Sequence, residues 1–215
     1  PKKSLNYAQH IIQQEWGEDL INSWNKADWW GLPTRLGDKV GQLIGANAGE
    51  TVISDSTTLN LFKVLSAAVK IQAEKHPQRK IIVAEKDAFP TDIYIIEGFI
   101  DLINQGYQVE LIEGAAGLSE ILTTEVAVVV LSHVNYRTGY FYDMTAINQQ
   151  IHAHNALIIW ECRPVGFSLI LPSLFKMELL WFIRLWQDSK VLRLFFGQVQ
   201  WLTPVIPASW KAEVA

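Results

Sequence analysis

Residues 51–60 read Thr51-Val-Ile-Ser-Asp-Ser-Thr-Thr-Leu-Asn60. A short β-branched run, 51–53, gives way at once to small polar residues. From Leu59 onward apolar residues recur at helical spacing, at Leu61, Val64, Leu65, Ala68 and Ile71. The pattern predicts a strand that feeds a polar turn, and a turn that opens a helix. Ser54, Asp55, Ser56 and Thr57 are all good N-cap types. The first turn of such a helix directs unpaired N–H groups at whatever lies above it, and the macrodipole favours an anion there. Thr57 and Thr58 add hydroxyl donors. Two readings stand side by side: a phosphate-binding cup and an ordinary capped helix.

The flanking sequence places this stretch in an alternating pattern. Upstream, residues 4–22 read as one helix with Ser4 as a candidate cap and Leu5, Ala8, Ile11, Ile12 and Trp16 on one face. Trp24, Trp29 and Trp30 follow as packing anchors or part of a binding wall. Pro33 suits the first turn of a helix that runs to Ile44, and Gly45 suits its stop. Downstream, residues 80–84 form an apolar strand. Phe89-Pro-Thr-Asp92 follows, and after it comes a helical pattern through Ile96, Phe99, Ile100 and Ile103, closed by Gly106. Residues 107–112 and 125–131 read as strands; the second is almost continuously apolar, as a strand covered on both faces should be. A polar, aromatic loop spans 132–142. Asp143 caps a helix through Ile147 and Ile151, Asn155 ends it, and residues 156–160 make a further strand. Strands that alternate with helices argue for an α/β layer fold with a mostly parallel central sheet and flanking helices.

Composition narrows the classes of function. The 215 residues carry a net charge of −4, which gives no reason to expect nucleic acid. The one cysteine, Cys162, excludes an internal disulfide and suits a reducing, cytoplasmic setting. The N-terminal residues lack the apolar core of a signal peptide. His152 and His154 have the wrong spacing for a shared metal on a helix, so no metal site is expected. Residues 165–196 crowd Leu, Phe, Ile and Trp without a clean period. Their uncharged run, 164–175, is too short to cross a bilayer, so no membrane segment is expected.

In open parallel sheets ligands sit beyond the carboxyl ends of the strands. Three loops are expected there, 54–58, 89–92 and 132–138, with Glu161 following the last strand. A hydroxyl-rich helix start can hold a phosphate. Phe89 can supply a flat apolar face for a ring, Asp92 can pair with a cationic nitrogen, Ser132 can donate to a phenolic oxygen, and Glu161 can pair with a pyridinium. Together those are the needs of pyridoxal 5'-phosphate. Each residue also has a plainer reading: Asp92 as a cap, Phe89 as core.

Five segments carry a family resemblance: Trp24-Asn25, Ile44-Gly-Ala46, Asp55-Ser-Thr-Thr-Leu-Asn-Leu-Phe-Lys63, Phe89-Pro-Thr-Asp92 and His133-Val-Asn-Tyr-Arg-Thr-Gly139. In order and spacing they resemble kynureninase, particularly bacterial forms, over about residues 1–160. The resemblance implies the large domain of the aspartate-aminotransferase fold (pyridoxal-phosphate fold type I) and a homodimer with active sites at the subunit interface. It also implies hydrolysis of kynurenine or 3-hydroxykynurenine to alanine and anthranilate or its hydroxy form, in tryptophan catabolism and NAD biosynthesis. By that resemblance Thr57 and Thr58 bind the cofactor phosphate and Phe89 stacks on the pyridine. Asp92 lies near the ring nitrogen, Ser132 near the phenolic oxygen, and Glu161 stands where the family has an aspartate that pairs with the nitrogen.

The resemblance stops there. The family continues with a histidine three residues after that aspartate and later a Tyr-Lys-Tyr-Leu-Asn segment that carries the Schiff-base lysine. Here the histidine position holds Pro164, and Lys176, Lys190 and Lys211 lie in other contexts. No catalytic residue is therefore assigned. The family's Gly-Asn-Ser-Leu-Gly segment, which lies before the position of Pro1, is also missing. Gln200-Trp-Leu-Thr-Pro-Val-Ile-Pro-Ala-Ser-Trp-Lys-Ala-Glu213 resembles a conceptual translation of a primate interspersed repeat. Residues 161–215 accordingly read as a foreign or out-of-frame tail joined to a partial large domain, 1–160. Two other functions stay open: a related pyridoxal-phosphate enzyme such as a cysteine desulfurase, against which the Phe89 ring speaks because a histidine would be expected there, and a non-catalytic interaction module.

Overall fold

The computed structural model describes residues 2–162 and the backbone of one further strand, Phe182–Trp186. The packing of the rest of 163–215, and with it Lys176, Lys190 and Lys211, lies outside the described residues. The chain forms two compact units, Pro1–Ser54 and Asp55–Ala215.

The first unit is helical. Helix α1 (Lys2–His10) runs into a π-helical stretch (Ile11–Glu18), a 3-10 turn (Leu20–Asn22) and the short α2 (Ser23–Lys26). The single helix expected over 4–22 is thus interrupted, and Ser4 lies inside α1. Tertiary bonds override the local period. The Ser23 hydroxyl donates to the Glu15 carbonyl at 2.5 Å, and the Glu15 carboxylate turns inward to accept the Trp29 indole N–H. The Asp19 N–H closes a wide turn on the Gln14 carbonyl, and Leu20 takes a left-handed φ of 50°. Trp29 meets Trp16 and Trp24 edge-on, at 6.5 and 6.3 Å between centroids, so the tryptophans pack on one another. Helix α3 (Leu32–Ile44) has Pro33 in its first turn and stops at Gly45, which takes φ +75° and donates to the Gly41 carbonyl.

Residues 51–53 are extended but form no strand. The Ile53 N–H donates to the Pro33 carbonyl at 3.1 Å rather than to a ladder partner. The segment lies against α3 at Gly37, where a Cβ would come within 1.9 Å of the Thr51 carbonyl oxygen. The β-branched run is therefore a strap on a helix, held by the absence of a side chain beneath it.

The second unit holds the sheet. Helix α4 (Thr57–Lys75) begins at Ser56, whose hydroxyl accepts the Leu59 N–H at 3.3 Å. Then follow β1 (Ile81–Glu85), α5 (Pro90–Ile103), β2 (Gln108–Ile112), a 3-10 turn (Ala115–Gly117), α6 (Leu118–Ile121), β3 (Val126–Ser132), α7 (Met144–Ala153), β4 (Leu157–Cys162) and β5 (Phe182–Trp186). The strand order is β2-β1-β3-β4-β5. The first four strands are parallel, and β5 runs antiparallel to β4. The strand β5 falls in the stretch read as a tail and has no counterpart among the expected elements. Every residue of β3 and β4 is buried, in accord with their near-continuous apolar runs.

Side chains alternate between two cores. Leu61, Leu65 and Ala68 of α4 and Ile96 and Phe99 of α5 pack with Ile82, Ala84, Val128, Val130, Leu157 and Ile159. Leu118 of α6 and Ile147 and Ile151 of α7 pack with Val83, Val129, Leu131, Ile158 and Trp160 on the other face. Two helix ends are set by short polar residues: Asp143 accepts from the N–H groups of Thr145 and Ala146, and Asn104, in left-handed conformation at φ 45°, closes α5 where Gly106 was expected.

The direction of α4 matters for the site. The Gln72 amide, near its end, donates to the Asn155 carbonyl just before β4. Arg79 donates to the Val126 carbonyl at the start of β3. The carboxyl end of α4 is thus at the strands' amino ends. Its 19 residues span about 28 Å, so its amino end lies toward the strands' carboxyl ends.

Candidate functional site

From β1 the chain goes outward to β2 and then returns to the other side of β1 as β3. The crevice at the carboxyl ends of β1 and β3 is the topological switch point, where doubly wound sheets bind ligands. The face covered by α4 and α5 carries one group of polar residues there. Ser132 ends β3 and continues the Val128–Val130 alternation. Glu161 continues the Leu157–Ile159 alternation and lies within β4, not after it. The two are register partners, and the Ser132 hydroxyl donates to a Glu161 carboxylate oxygen at 2.7 Å. Glu161 is 2% exposed.

Phe89 is the N-cap residue of α5, with extended backbone. Its ring lies edge-on to Tyr136, 5.3 Å between centroids, and is partly exposed. Asp92 occupies the first turn of α5 and is buried, its N–H donating to the Phe89 carbonyl at 2.8 Å. A carboxylate there is favoured by the helix dipole. Thr57 and Thr58 are the first two residues of α4, both half-buried. The Asp55 carboxylate beside them is paired with Lys63. Ser132 and Glu161 are therefore in contact, Phe89 and Asp92 share one turn, and the threonines begin a third element.

Several residues of this region were not singled out as functional in the sequence. Asn135 is buried and ties two loops together. Its amide donates to the Asp87 carboxylate at 2.9 Å, and its side-chain oxygen accepts the N–H groups of Arg137 and Thr138, both at 3.0 Å. An asparagine two and three residues before those donors is an Asx-turn signal. His133 is packed between Phe141 (4.3 Å) and Trp160 (5.9 Å), and burial holds its imidazole below the usual range. The His133 N–H donates to the Glu161 carbonyl at 2.8 Å.

On the opposite face Glu85 continues the Val83 alternation. Its carboxyl is pushed up by burial, with the nearby Asp87 carboxylate adding to the rise and the Tyr142 hydrogen bond opposing it. The Tyr142 hydroxyl donates to Glu85, and burial pushes that phenol up as well. These groups line a cavity of about 780 Å³, whose walls include Lys86, Asp87, Asn135, Arg137 and Tyr140. None of Thr57, Thr58, Phe89, Asp92, Ser132 and Glu161 lines it.

The chain is 48% identical over 161 residues to a kynureninase from Pseudomonas fluorescens and 45% identical over 161 residues to one from Burkholderia pseudomallei (strain 1106a). The matched stretch is similar to kynureninase. It makes up 75% of this chain, and this chain spans only 39% of those kynureninases. No protein-family model matches the chain. Among solved structures, a NifS-like protein superposes with a TM-score of 0.57 at 12% identity, over 76% of this chain and 46% of the other. DndA from Streptomyces lividans superposes with a TM-score of 0.53 at 17% identity, over 73% and 44%. At such low identity these two speak for the fold alone. The parallel sheet with helices on both faces is part of the large domain of the aspartate-aminotransferase fold, pyridoxal-phosphate fold type I, as the kynureninase motifs imply.

Proposed function

We propose that this chain is a fragment of a kynureninase and carries the floor of its pyridoxal-phosphate site. The single observation that carries the reading is the buried Ser132–Glu161 pair at the carboxyl ends of β3 and β4. A buried carboxylate is costly unless it is bonded or meets a cation. Glu161 accepts a bond from Ser132, and its carboxylate is of a type that pairs with a protonated ring nitrogen. Its backbone is held in the sheet, at the last register pair between β3 and β4. The amino end of α4, with Thr57 and Thr58, supplies N–H and hydroxyl donors suited to a phosphate. Phe89 offers a ring face, and Asp92 adds negative charge at the start of α5. These residues fit pyridoxal phosphate.

When bound, the cofactor supplies an electron sink for cleavage next to an amino acid's α-carbon. The chain's own residues bind and orient it: Glu161 keeps the ring nitrogen protonated, Ser132 sets the carboxylate's orientation, and the helix start neutralises phosphate charge. In the whole enzyme the substrate is kynurenine or 3-hydroxykynurenine, the assembly a homodimer and the compartment the cytoplasm. Residues 1–160 supply the partial large domain, and 161–215 the dissimilar tail.

A lysine that covalently holds the cofactor and moves a proton has no counterpart in a matching segment. The chain alone is therefore expected to bind pyridoxal phosphate weakly and without a covalent bond, and to release no anthranilate from kynurenine. Titration of the purified chain by quenching of tryptophan fluorescence tests this. Saturation should be seen, and Glu161→Gln should weaken it about tenfold. A borohydride-stable adduct on Lys190 together with anthranilate release would overturn the inactive reading. Soluble oligomers with no affinity for the cofactor would favour the non-catalytic interaction module.

A further inference from the structure

The cavity on the α6–α7 face is distinct from the proposed cofactor floor. At its inner end stands Glu85, 2% exposed. One carboxylate oxygen accepts the Tyr142 hydroxyl; the other, fully buried, has no well-aligned donor, with only the Asn135 amide and the Asp87 carboxyl close by. Buried carboxylate oxygens are normally satisfied. A second carboxylate, Asp87, lines the same cavity and is bonded to the Asn135 amide. Two adjacent carboxyls, one with a buried oxygen that no donor meets in good alignment, make this end acidic and suited to a cation.

The walls narrow the ligand class. Tyr140 and Tyr142 are packed edge-to-face, 4.9 Å between centroids, and both line the cavity. Tyrosine rings favour a nearby organic cation and an apolar or aromatic body. The lining also includes Arg137, whose Nε donates to the Tyr136 hydroxyl at 2.6 Å. A guanidinium has five N–H donors, so others remain for a carboxylate. Lys86, by contrast, is engaged by Glu113.

We propose that this cavity is a second ligand site, which binds a free aromatic or large apolar α-amino acid with its ammonium group on Glu85 and its carboxylate on Arg137. The cavity of about 780 Å³ lies within the range of small-molecule pockets, about 300–1,000 Å³.

The probes are L-phenylalanine, 2-phenylethylamine, which keeps only the ammonium, and 3-phenylpropionate, which keeps only the carboxylate. They are titrated into the full, cofactor-free chain by calorimetry, with ¹³C-labelled tyrosine followed by NMR. Binding should shift the Tyr140 and Tyr142 signals and rank phenylalanine above phenylethylamine, with phenylpropionate last. Glu85→Gln should weaken both amines about tenfold or more. Arg137→Ala, at an exposed position, should bring phenylalanine down to phenylethylamine and leave the latter unchanged. Should Glu85→Gln fail to fold by circular dichroism, Asp87→Asn tests the acidic end in its place. The proposal is overturned if folded protein binds none of the probes at millimolar concentration, or binds phenylpropionate as well as phenylalanine. Unchanged phenylalanine binding in both Arg137→Ala and the acidic variant also overturns it. Because no cofactor is present, these outcomes are independent of pyridoxal-phosphate binding.

Discussion

At the scale of single residues, two buried carboxylates behave differently because their partners differ. Ser132→Ala removes a hydroxyl donor from Glu161, and loss of a donor to a buried charge costs about 1–3 kcal/mol. Urea unfolding should show a lower midpoint with an unchanged m-value. Glu85 is held above its ordinary value of 4.5, chiefly by burial. The folded state therefore binds this proton more tightly than the unfolded chain does. The contribution is fully present below pH 4.5 and is lost as pH rises through the higher folded value. Over that window Glu85→Gln should flatten the fall of stability with pH, as read by denaturant melts at a series of pH values. A steeper fall in the variant would contradict the assignment.

At the scale of elements, Gly37 has a specific task. Gly37→Ala would drive a methyl into the backbone at Thr51, a steric conflict of the kind that costs about 1–3 kcal/mol. Hydrogen exchange should show the Ile53 amide, bonded to the Pro33 carbonyl, losing protection first. Asp143→Ala removes the acceptor for two N–H groups of α7 and should cost about 1 kcal/mol in a thermal melt. That cap was legible in the sequence, as were Pro33 and Gly45, because each acts through local backbone geometry; the helical pattern after Asp92 was legible too, but α5 starts earlier, at Pro90, with Asp92 inside its first turn. The strap at 51–53 was not, since a β-branched run looks the same whether its N–H groups meet a strand or the carbonyl of a helix residue. The break in the first helix escaped for a similar reason: Glu15 turns inward for Trp29 and Ser23, and such long-range partners leave no local period. The sequence places Ser132 and Glu161 just past their strands; the ladder puts both inside them, as register partners joined by a hydrogen bond. The Glu85 cavity was missed because its walls come from three separate loops and from β1, with no shared motif.

At the scale of the whole molecule, the parallel sheet ends in a strand of opposite direction, and β4 is entirely buried. A chain cut after Cys162 would lack β5 and present the edge of β4. Such a variant should self-associate with rising concentration in sedimentation velocity, whereas the intact chain should do so less. A further consequence lies in the order in which the chain is made. Helix α4 is the first element of the sheet unit, yet Leu61 and Leu65 pack in one core with Leu157 and Ile159 of β4, and Gln72 reaches a partner 83 residues later. At roughly 5–20 residues per second, a ribosome needs about 4–17 seconds to deliver that partner. During those seconds the oily side of α4 waits uncovered, and that interval is when this polypeptide is most in need of a chaperone.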